Sequence, residues 1–492
     1  MSKNTIPSEL FLPYLQQMPE LPRYRALFRA FQQAILQGKL HSGAKLPASR
    51  PLSIALKLSR NTVKTAYDML LAEGYIETRH GSGSYVSEII PEQHSPQDNS
   101  CELAQGYPSP PRLSVMAQRL STPSHIGPAH VDRRLLSLGP DTLHGFPWAQ
   151  WQRHLNKAAT QIKHLPSDSV MGNEWLRNQI AHYLQITRGV KCSQQNIMIC
   201  SGSQQAMYLS LQLLLNPNES ILIEEPGYQG ISRTIDALGA IKVPVPVDDS
   251  GFNLQQGLAL APDARLISLT PSRNYPMGYT LSLERRLALL DWAKRQQAWI
   301  IEDDYDSDFR FDGAPLTSLQ GLGGEHCVIY AGTFSRILHP SIRLGYVVIP
   351  EALIDAFCQL KQCVDGGLSQ LPQLTLAEFM AAGHFSSHVR RMRKCYQQRR
   401  ACLHDAMDQA FAGQLMRVQS DGGMHSVFLL AEGESDTDLC YSLEQQGLGV
   451  RALSTYYSGE QSLQGLVIGY AAHTEKEIQR GVNVIQQVYQ GR

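Results

Sequence analysis

Residues 299–306 read WIIEDDYD. An apolar run closed by acids describes a short strand buried on both faces, with its carboxylates at the carboxyl-terminal edge. Ligands collect at that edge in open α/β sheets. Comparable runs lie on either side: IMIC at 197–200, ILIE at 221–224, LISL at 266–269 and VIYA at 328–331. Helical patterns intervene, such as 283–297 with apolar residues at Leu287, Leu290 and Ala293. Short apolar strands alternating with amphipathic helices predict an α/β architecture around a mostly parallel sheet. From about Leu353 helices dominate, and HSVFLL at 425–430 with GLVIGY at 465–470 predicts a smaller C-terminal α+β domain.

The acids of 302–306 admit three uses. Clustered carboxylates suit a divalent cation, a structural network, or a cofactor ring. The Asp-x-Tyr spacing fits the ring: Asp303 would keep a pyridine nitrogen protonated and Tyr305 would hydrogen-bond a phenolic oxygen. No metal ligand set is assigned. Gly202-Ser203-Gln204-Gln205-Ala206 follows a strand and opens a helix, so its free amides and the helix dipole offer an anion site at Ser203 and Gln204. Glu224-Glu225-Pro226-Gly227-Tyr228 ends another strand and offers Tyr228 as a flat partner for a ring, or as a core tyrosine at a turn. Residues 332–346, GTFSRILHPSIRLGY, place Thr333, Ser335, Arg336 and Arg343 together.

At 492 residues the chain is long enough for two or three domains, and 43% hydrophobic against 18% charged residues excludes wholesale disorder. The zero net charge hides an asymmetry, because residues 20–90 carry ten Lys/Arg against five Asp/Glu. A basic N-terminal module on a mildly acidic body points to a polyanionic partner for the first part alone. Nine cysteines without a CxxC pair suit reduced thiols, and neither a signal-like N-terminus nor a membrane-length apolar run occurs, so a cytoplasmic protein with no membrane partner is expected.

Before the α/β body, a first helix is expected over about 23–37, ended by Gly38. A second is introduced by Ser49-Arg50-Pro51, with Ser49 as N-cap and Pro51 in the first turn. A third begins after Ser59 and carries Arg60, Asn61, Thr62 and Lys64 on its first turns, where a recognition helix meets bases and phosphates. Residues 77–86, ETRHGSGSYV, read as two strands and a glycine-rich tip that can approach a phosphate closely. The order LPASR, LSRNTV, AYDMLLAEGY, GSGSYV resembles the winged helix-turn-helix of the GntR superfamily. That resemblance implies that Arg50, Arg60, Asn61, Thr62, Lys64, Arg79 and Gly83 face operator DNA. The bland alternative is a basic helical domain docked on its neighbour. Residues 91–112, with five prolines, read as a linker. The expected division is therefore 20–88 for the winged helix, 89–112 for the linker, 113–352 for the large domain and 353–492 for the small one.

In the body, GSQQA, EEPGY, TPSRNYPMG, EDDYDSDF, GTFSR and RLGY occur in that order and resemble the aminotransferase-like domain of the MocR/GabR family. The fold implied is a winged helix joined by a linker to a fold-type I pyridoxal-phosphate-dependent transferase-like domain. The resemblance also implies a homodimer that controls transcription in response to a small amino compound or to vitamin B6 itself. Its implied cofactor residues are Ser203, Gln204, Tyr228, Asp303, Tyr305, Thr333, Ser335, Arg336 and Arg343.

Three departures stand out. Arg336 occupies the position of the family's Schiff-base lysine, and a guanidinium is a poor amine nucleophile that stays charged. Arg273-Asn274 stands where His-Gln is usual. Met171–Arg177 replaces a segment with a tyrosine that reaches the partner's phosphate in related aminotransferases. With no catalytic lysine, pyridoxal 5'-phosphate is expected to bind non-covalently or not at all, with Arg336 serving a phosphate or balancing Asp303. Two rivals remain: an aminotransferase fused to a DNA-binding module, and a constitutive DNA binder that uses its body only to dimerise. The basic stretch 384–400 suits DNA contacts or a solvated or dimer-facing helix, and Arg451 is a candidate for gripping a substrate carboxylate.

Overall fold

The computed structural model describes residues 20–79, 82–88, 112–121, 132–142, 144–164, 169–459 and 463–491, together with Phe11, Leu15 and Met18. The chain divides into two compact units, Met1–Arg112 and Leu113–Arg492. Apart from Arg112, the expected linker lies outside the described residues.

In the first unit, helix Arg23–Leu36 buries Leu27, Ala30, Phe31, Ala34 and Ile35, the 3–4 spacing of one helical face. It stops before Gly38, whose φ of +69° suits glycine. Helix Ser49–Ala55 follows, but its N-cap is Ala48, without a side-chain cap. Ser49 is instead its first helical residue, a shift of one position from the sequence expectation. Pro51 does sit in the first turn, where a missing N–H costs nothing. Helix Arg60–Ala72 begins as expected: the Ser59 hydroxyl accepts the Thr62 amide at 3.0 Å. Val63, Ala66 and Leu70 then hold it to the core. Strands β1 (Ile76–Arg79) and β2 (Gly83–Val86) pair antiparallel, with Arg79 opposite Gly83. The wing tip, His80 and Gly81, lies outside the described residues.

The second unit is built on an eight-stranded sheet. Its strands are β3 (Ile197–Cys200), β4 (Ser220–Glu225), β5 (Ile241–Asp248), β6 (Gly251–Phe252), β7 (Leu266–Leu269), β8 (Trp299–Asp304), β9 (Val328–Thr333) and β10 (Gly345–Val348). Their order across the sheet is β3-β10-β9-β8-β7-β4-β5-β6. β4, β5, β7, β8 and β9 run parallel, while β10 is antiparallel to both neighbours and β6 to β5. β3 shows why such strands are apolar throughout. Ile197 and Ile199 pack with Leu176, Ile180 and Leu184 on one face, and Met198 and Cys200 with Ala206, Leu209 and Phe357 on the other. Helix Leu283–Gln296 buries Arg286, Leu289, Leu290 and Ala293, whereas Leu287, expected inside, is 51% exposed. The buried stripe runs one residue aside of Leu287, because the Arg286 guanidinium reaches the carbonyls of Leu281, Pro271 and Thr317.

A second, antiparallel sheet of order β11-β12-β14-β13 comprises β11 (Met416–Arg417), β12 (His425–Leu429), β13 (Arg451–Ala452) and β14 (Gly465–Gly469). Helices His384–Phe411 and Glu475–Gln490 pack on each other beside it. Much of the basic charge at 384–400 is engaged within this unit. Arg399 pairs with Asp141 at 3.0 Å and Arg400 with Asp312 at 2.8 Å, while Arg391 and Arg393 reach the carbonyls of Gly145 and Asp308. Among the described residues no helix is long and apolar enough to cross a membrane.

Candidate cofactor pocket and nucleic-acid surface

The sheet order brings the ends of β3, β9 and β10 together, and with them an anion cradle. β3 passes through Ser201 and Gly202 into helix Ser203–Leu214, whose first turn has no side-chain cap, leaving its amides available. Gly202 has φ +79°, and a Cβ on neighbouring Gly345 would stand 2.7 Å from the Gly202 backbone, so the two chains approach as only glycine permits. β9 ends at Thr333, whose hydroxyl accepts the Ser335 amide at 3.2 Å. The buried Ser335 Oγ has no hydrogen-bond partner. Arg343 adopts a left-handed conformation (φ +52°) and donates to the Ser201 carbonyl at 3.4 Å.

These groups line a cavity of about 380 Å³ that takes in Ser203, Gln204, Tyr228, Thr333, Ser335, Arg336 and Arg343, with Leu138, Pro140, His144 and His473 opposite. The Gln204 amide nitrogen is turned aside to Gly230 O (3.1 Å) and Thr234 Oγ1 (3.0 Å), so this residue faces the cavity without committing its donor to it. Asp303 and Tyr305 are not on this lining. Asp303 borders a separate void of about 20 Å³ with Glu224, Ser268 and Thr270, and Tyr228 is the wall common to both. No lysine lines either space among the described residues.

Asp303 is 6% exposed at the end of β8, and its Oδ1 has no hydrogen-bond partner. Burial, reinforced by Asp304 and Glu224, pushes its carboxyl up to about 8, against the opposing pull of Arg336. No ion pair or hydrogen bond joins Arg336 to Asp303, and the charge balance expected from the sequence acts through space, as the pull of Arg336 on the Asp303 carboxyl. The nearby Arg188 is taken by Asp304 at 2.8 Å. Burial also lifts Glu224 to about 7, although Thr270 donates to it through its amide (2.9 Å) and hydroxyl (2.6 Å).

A raised folded-state value means that the native state keeps the Asp303 proton where the unfolded chain has released it. The associated stability is complete in acid and is lost as pH rises towards about 8. Asp303→Asn should therefore match the wild type near the acid end and exceed it by a few kcal/mol at about pH 9. Unfolding temperatures measured across that range check this, and parallel curves for the two proteins would sink it.

Arg273, noted in the sequence only as a departure, is a buried hub. Its Nη1 donates to the Tyr305 hydroxyl at 2.8 Å and to Asp306 Oδ2 at 3.1 Å, its Nη2 to His425 O at 3.0 Å, and its Nε to Gly422 O at 3.1 Å. The hydroxyl expected to meet a cofactor oxygen thus already accepts a guanidinium proton. Sequence reasoning also missed Tyr275. Its ring makes edge contacts with Tyr228 (6.2 Å), Tyr305 (5.5 Å), His425 (5.4 Å) and Tyr456 (5.3 Å). Its place beside Arg273-Asn274 in the quoted motif was the available signal. Burial, with Arg273 close by, holds His425 well below the usual imidazole range, so it is neutral and donates through Nε2 to Pro276 O at 2.8 Å. The half-buried Arg336 guanidinium lies within electrostatic reach of Tyr275, Tyr228, Tyr305 and Asp306.

Elsewhere, the Met171 segment is bonded into this same chain: Met171 O accepts the Ile199 amide (2.9 Å) and the Asn173 amide donates to Gln373 Oε1 (2.8 Å). Arg451 stands 3.7 Å from Asp132 and is not on the cavity lining. Among the described residues no cluster of three or more His, Cys, Asp or Glu could hold a metal ion.

In the first unit, Arg50, Arg60, Asn61, Lys64, Arg79 and Gly83 are exposed. Arg60, Asn61 and Lys64 share the opening turns of one helix, and Arg50 opens the helix before it. Two expected contacts are partly engaged. The Thr62 hydroxyl bonds Ser59 Oγ at 2.8 Å, and Arg79 is paired with Glu77 at 2.7 Å while stacking over Tyr85 at 4.7 Å.

Residues 23–86 match the family described as bacterial regulatory proteins, gntR family, and residues 151–485 match aminotransferase class I and II. Over 481 residues the chain is 33% identical to the probable rhizopine catabolism regulatory protein MocR of Rhizobium meliloti, covering 96% of this chain and 95% of that protein. The chain belongs to the MocR-type transcriptional regulators. It is also 30% identical, over 91% of its length and 92% of the relative's, to the pyridoxine biosynthesis transcriptional regulator PdxR of Corynebacterium glutamicum. Among solved structures, an archaeal alanine:glyoxylate aminotransferase superposes with a TM-score of 0.68 at 25% identity, covering 73% of this chain and 91% of that one. Kynurenine aminotransferase of Pyrococcus horikoshii, solved in complex with PMP, gives a TM-score of 0.67 at 24% identity over 72% of this chain and 90% of that one, a likeness of fold. The winged helix and fold-type I expectations are thus met for this MocR-type chain.

Proposed function

We propose that this cytoplasmic MocR-type regulator binds operator DNA as a homodimer through Arg50, Arg60, Asn61, Thr62, Lys64, Arg79 and Gly83, and uses its aminotransferase fold as a reversible sensor. The ligand is pyridoxal 5'-phosphate or a small amino compound acting with it. The observation that carries this reading is Arg336 in a cavity that no lysine lines among the described residues. The residues present suit the phosphate: unbonded amides at Ser203, the unpartnered Ser335 hydroxyl, Thr333 and Arg343. Tyr228, the wall shared with the separate Asp303 void, would lie against the ring. When bound, pyridoxal phosphate supplies an aldehyde reactive towards primary amines and an electron-withdrawing ring. Among the described residues no lysine amine lines the cavity to hold the aldehyde or to move a proton, so turnover as an aminotransferase is not expected.

Arg336→Lys tests the reading. The variant, incubated with pyridoxal phosphate and reduced with borohydride, should gain one stable adduct by mass spectrometry, and the wild type should gain none at this site. A wild-type adduct mapped to the cavity would overturn the non-covalent reading. The DNA half is tested separately, by selecting duplexes from a random pool with the full-length protein.

A further inference from the structure

The cavity contains a positive charge to which no described acid is directly bonded. Arg336 makes no hydrogen bond or ion pair with any described residue. Two acids feel its charge: Asp306 is already paired with Arg273 at 3.1 Å, and Asp303, which makes no ion pair, is pushed up to about 8 by burial and so stays largely neutral near pH 7. On the far wall Asp132 pairs with Arg134 at 2.7 Å, and Glu477 caps its helix by accepting the Thr474 amide at 2.8 Å. The groups around the guanidinium are otherwise phenols, Tyr228, Tyr275 and Tyr305, with neutral His425 behind them. A half-buried guanidinium with unmatched donors attracts carbonyl oxygens and anions, and it repels an ammonium more strongly than it would in water.

The same cavity holds the anion cradle of Ser203, Thr333, Ser335 and Arg343, so a ligand whose phosphate was held there would present its remaining polar group to a space that Arg336 also lines. On the cofactor reading given above, we propose that Arg336 is a specificity-determining residue that admits phosphorylated ligands whose second polar group is a carbonyl or an anion and excludes those carrying an ammonium. The aldehyde form of the B6 phosphates is then accepted and the amine form is rejected. Arg336 would thus set which vitamin B6 form the regulator can sense.

Calorimetric titration of the full-length protein with pyridoxal, pyridoxine and pyridoxamine 5'-phosphates tests this, the pyridoxine form with its neutral hydroxymethyl group serving as reference. The wild type should bind the aldehyde at least about tenfold more tightly than the amine, with the alcohol between them. Arg336→Gln, with an unchanged unfolding temperature, should bring the three within about twofold of one another by raising affinity for the amine. Should that variant fail to fold, the wild-type ranking alone decides. Equal or tighter binding of the amine form by the wild type overturns the selectivity while leaving the cofactor reading intact. Failure of all three to bind overturns both.

Discussion

Arg273→Ala lowers the unfolding free energy of the unit Leu113–Arg492 by about 3–5 kcal/mol. Arg273 and Asp306 are 6% and 2% exposed, and the guanidinium serves five acceptors at once, Ser420 Oγ (3.3 Å) among them. Removing it leaves Asp306 as a buried anion, already pushed up to about 6 by burial even with its partner in place, and strips donors from two carbonyls and a phenol. The backbone is shaped around this side chain. A Cβ on Gly423 would fall 2.2 Å from Arg273 Cζ, so the Gly423 backbone lies directly against the guanidinium and its removal opens a cavity there. Without Arg273 the folded-state value of Asp306 rises further, so the deficit is greatest above it and shrinks in acid, where the carboxyl is neutral. Denaturant midpoints of the full-length protein at two pH values read this out. Combining Arg273→Ala with Asp306→Asn should cost less than the two separate losses together, since the second change removes the stranded charge. A loss below about 1 kcal/mol, with additive pairs, would show that solvent serves these groups in place of arginine.

The contrast between Arg273 and β3 marks what the sequence could disclose. Strands announced themselves because both faces of the sheet are covered: Ile197 and Ile199 on one side, Met198 and Cys200 on the other, leave no polar position to blur the run. The Ser59 cap was legible because cap and acceptor are three residues apart. Ser49 and Leu287 were each displaced by one position, a local ambiguity that the packing settles. The candidate site was legible as motifs and illegible as geometry. Arg273 was conspicuous as a letter, but two of its acceptors lie 149 and 152 residues further along the chain. Tyr275 collects rings from Tyr228, Tyr305, His425 and Tyr456, which share no spacing that a sequence pattern could reveal. Arg336 and Asp303, which the sequence set in one charge-balanced neighbourhood, do share one: the Arg336 charge pulls on the Asp303 carboxyl, but no hydrogen bond or ion pair joins them.

Changing Arg50, Arg60 and Lys64 together to alanine should weaken operator binding by at least about a hundredfold at moderate salt. These side chains are exposed and lie on the opening turns of consecutive helices, so their loss removes charge without removing core. Every phosphate that a variant no longer neutralises should flatten the plot of log affinity against log salt by about 0.9. The three substitutions separate by role. Lys64→Ala should weaken all duplexes alike, because an ammonium serves a phosphate as a point charge, whereas a bidentate base contact by an arginine is worth about 1–3 kcal/mol and its removal relaxes sequence preference. Arg79→Ala should do much less than any of them. Its guanidinium is held by Glu77 at 2.7 Å and lies over the Tyr85 ring, so it must leave both before it can reach a phosphate. Fluorescence anisotropy on a selected duplex, titrated at several salt concentrations, distinguishes these cases. An Arg79→Ala loss equal to that of Arg60→Ala would mean that the wing rearranges on DNA, with Glu77 surrendering its partner to a phosphate.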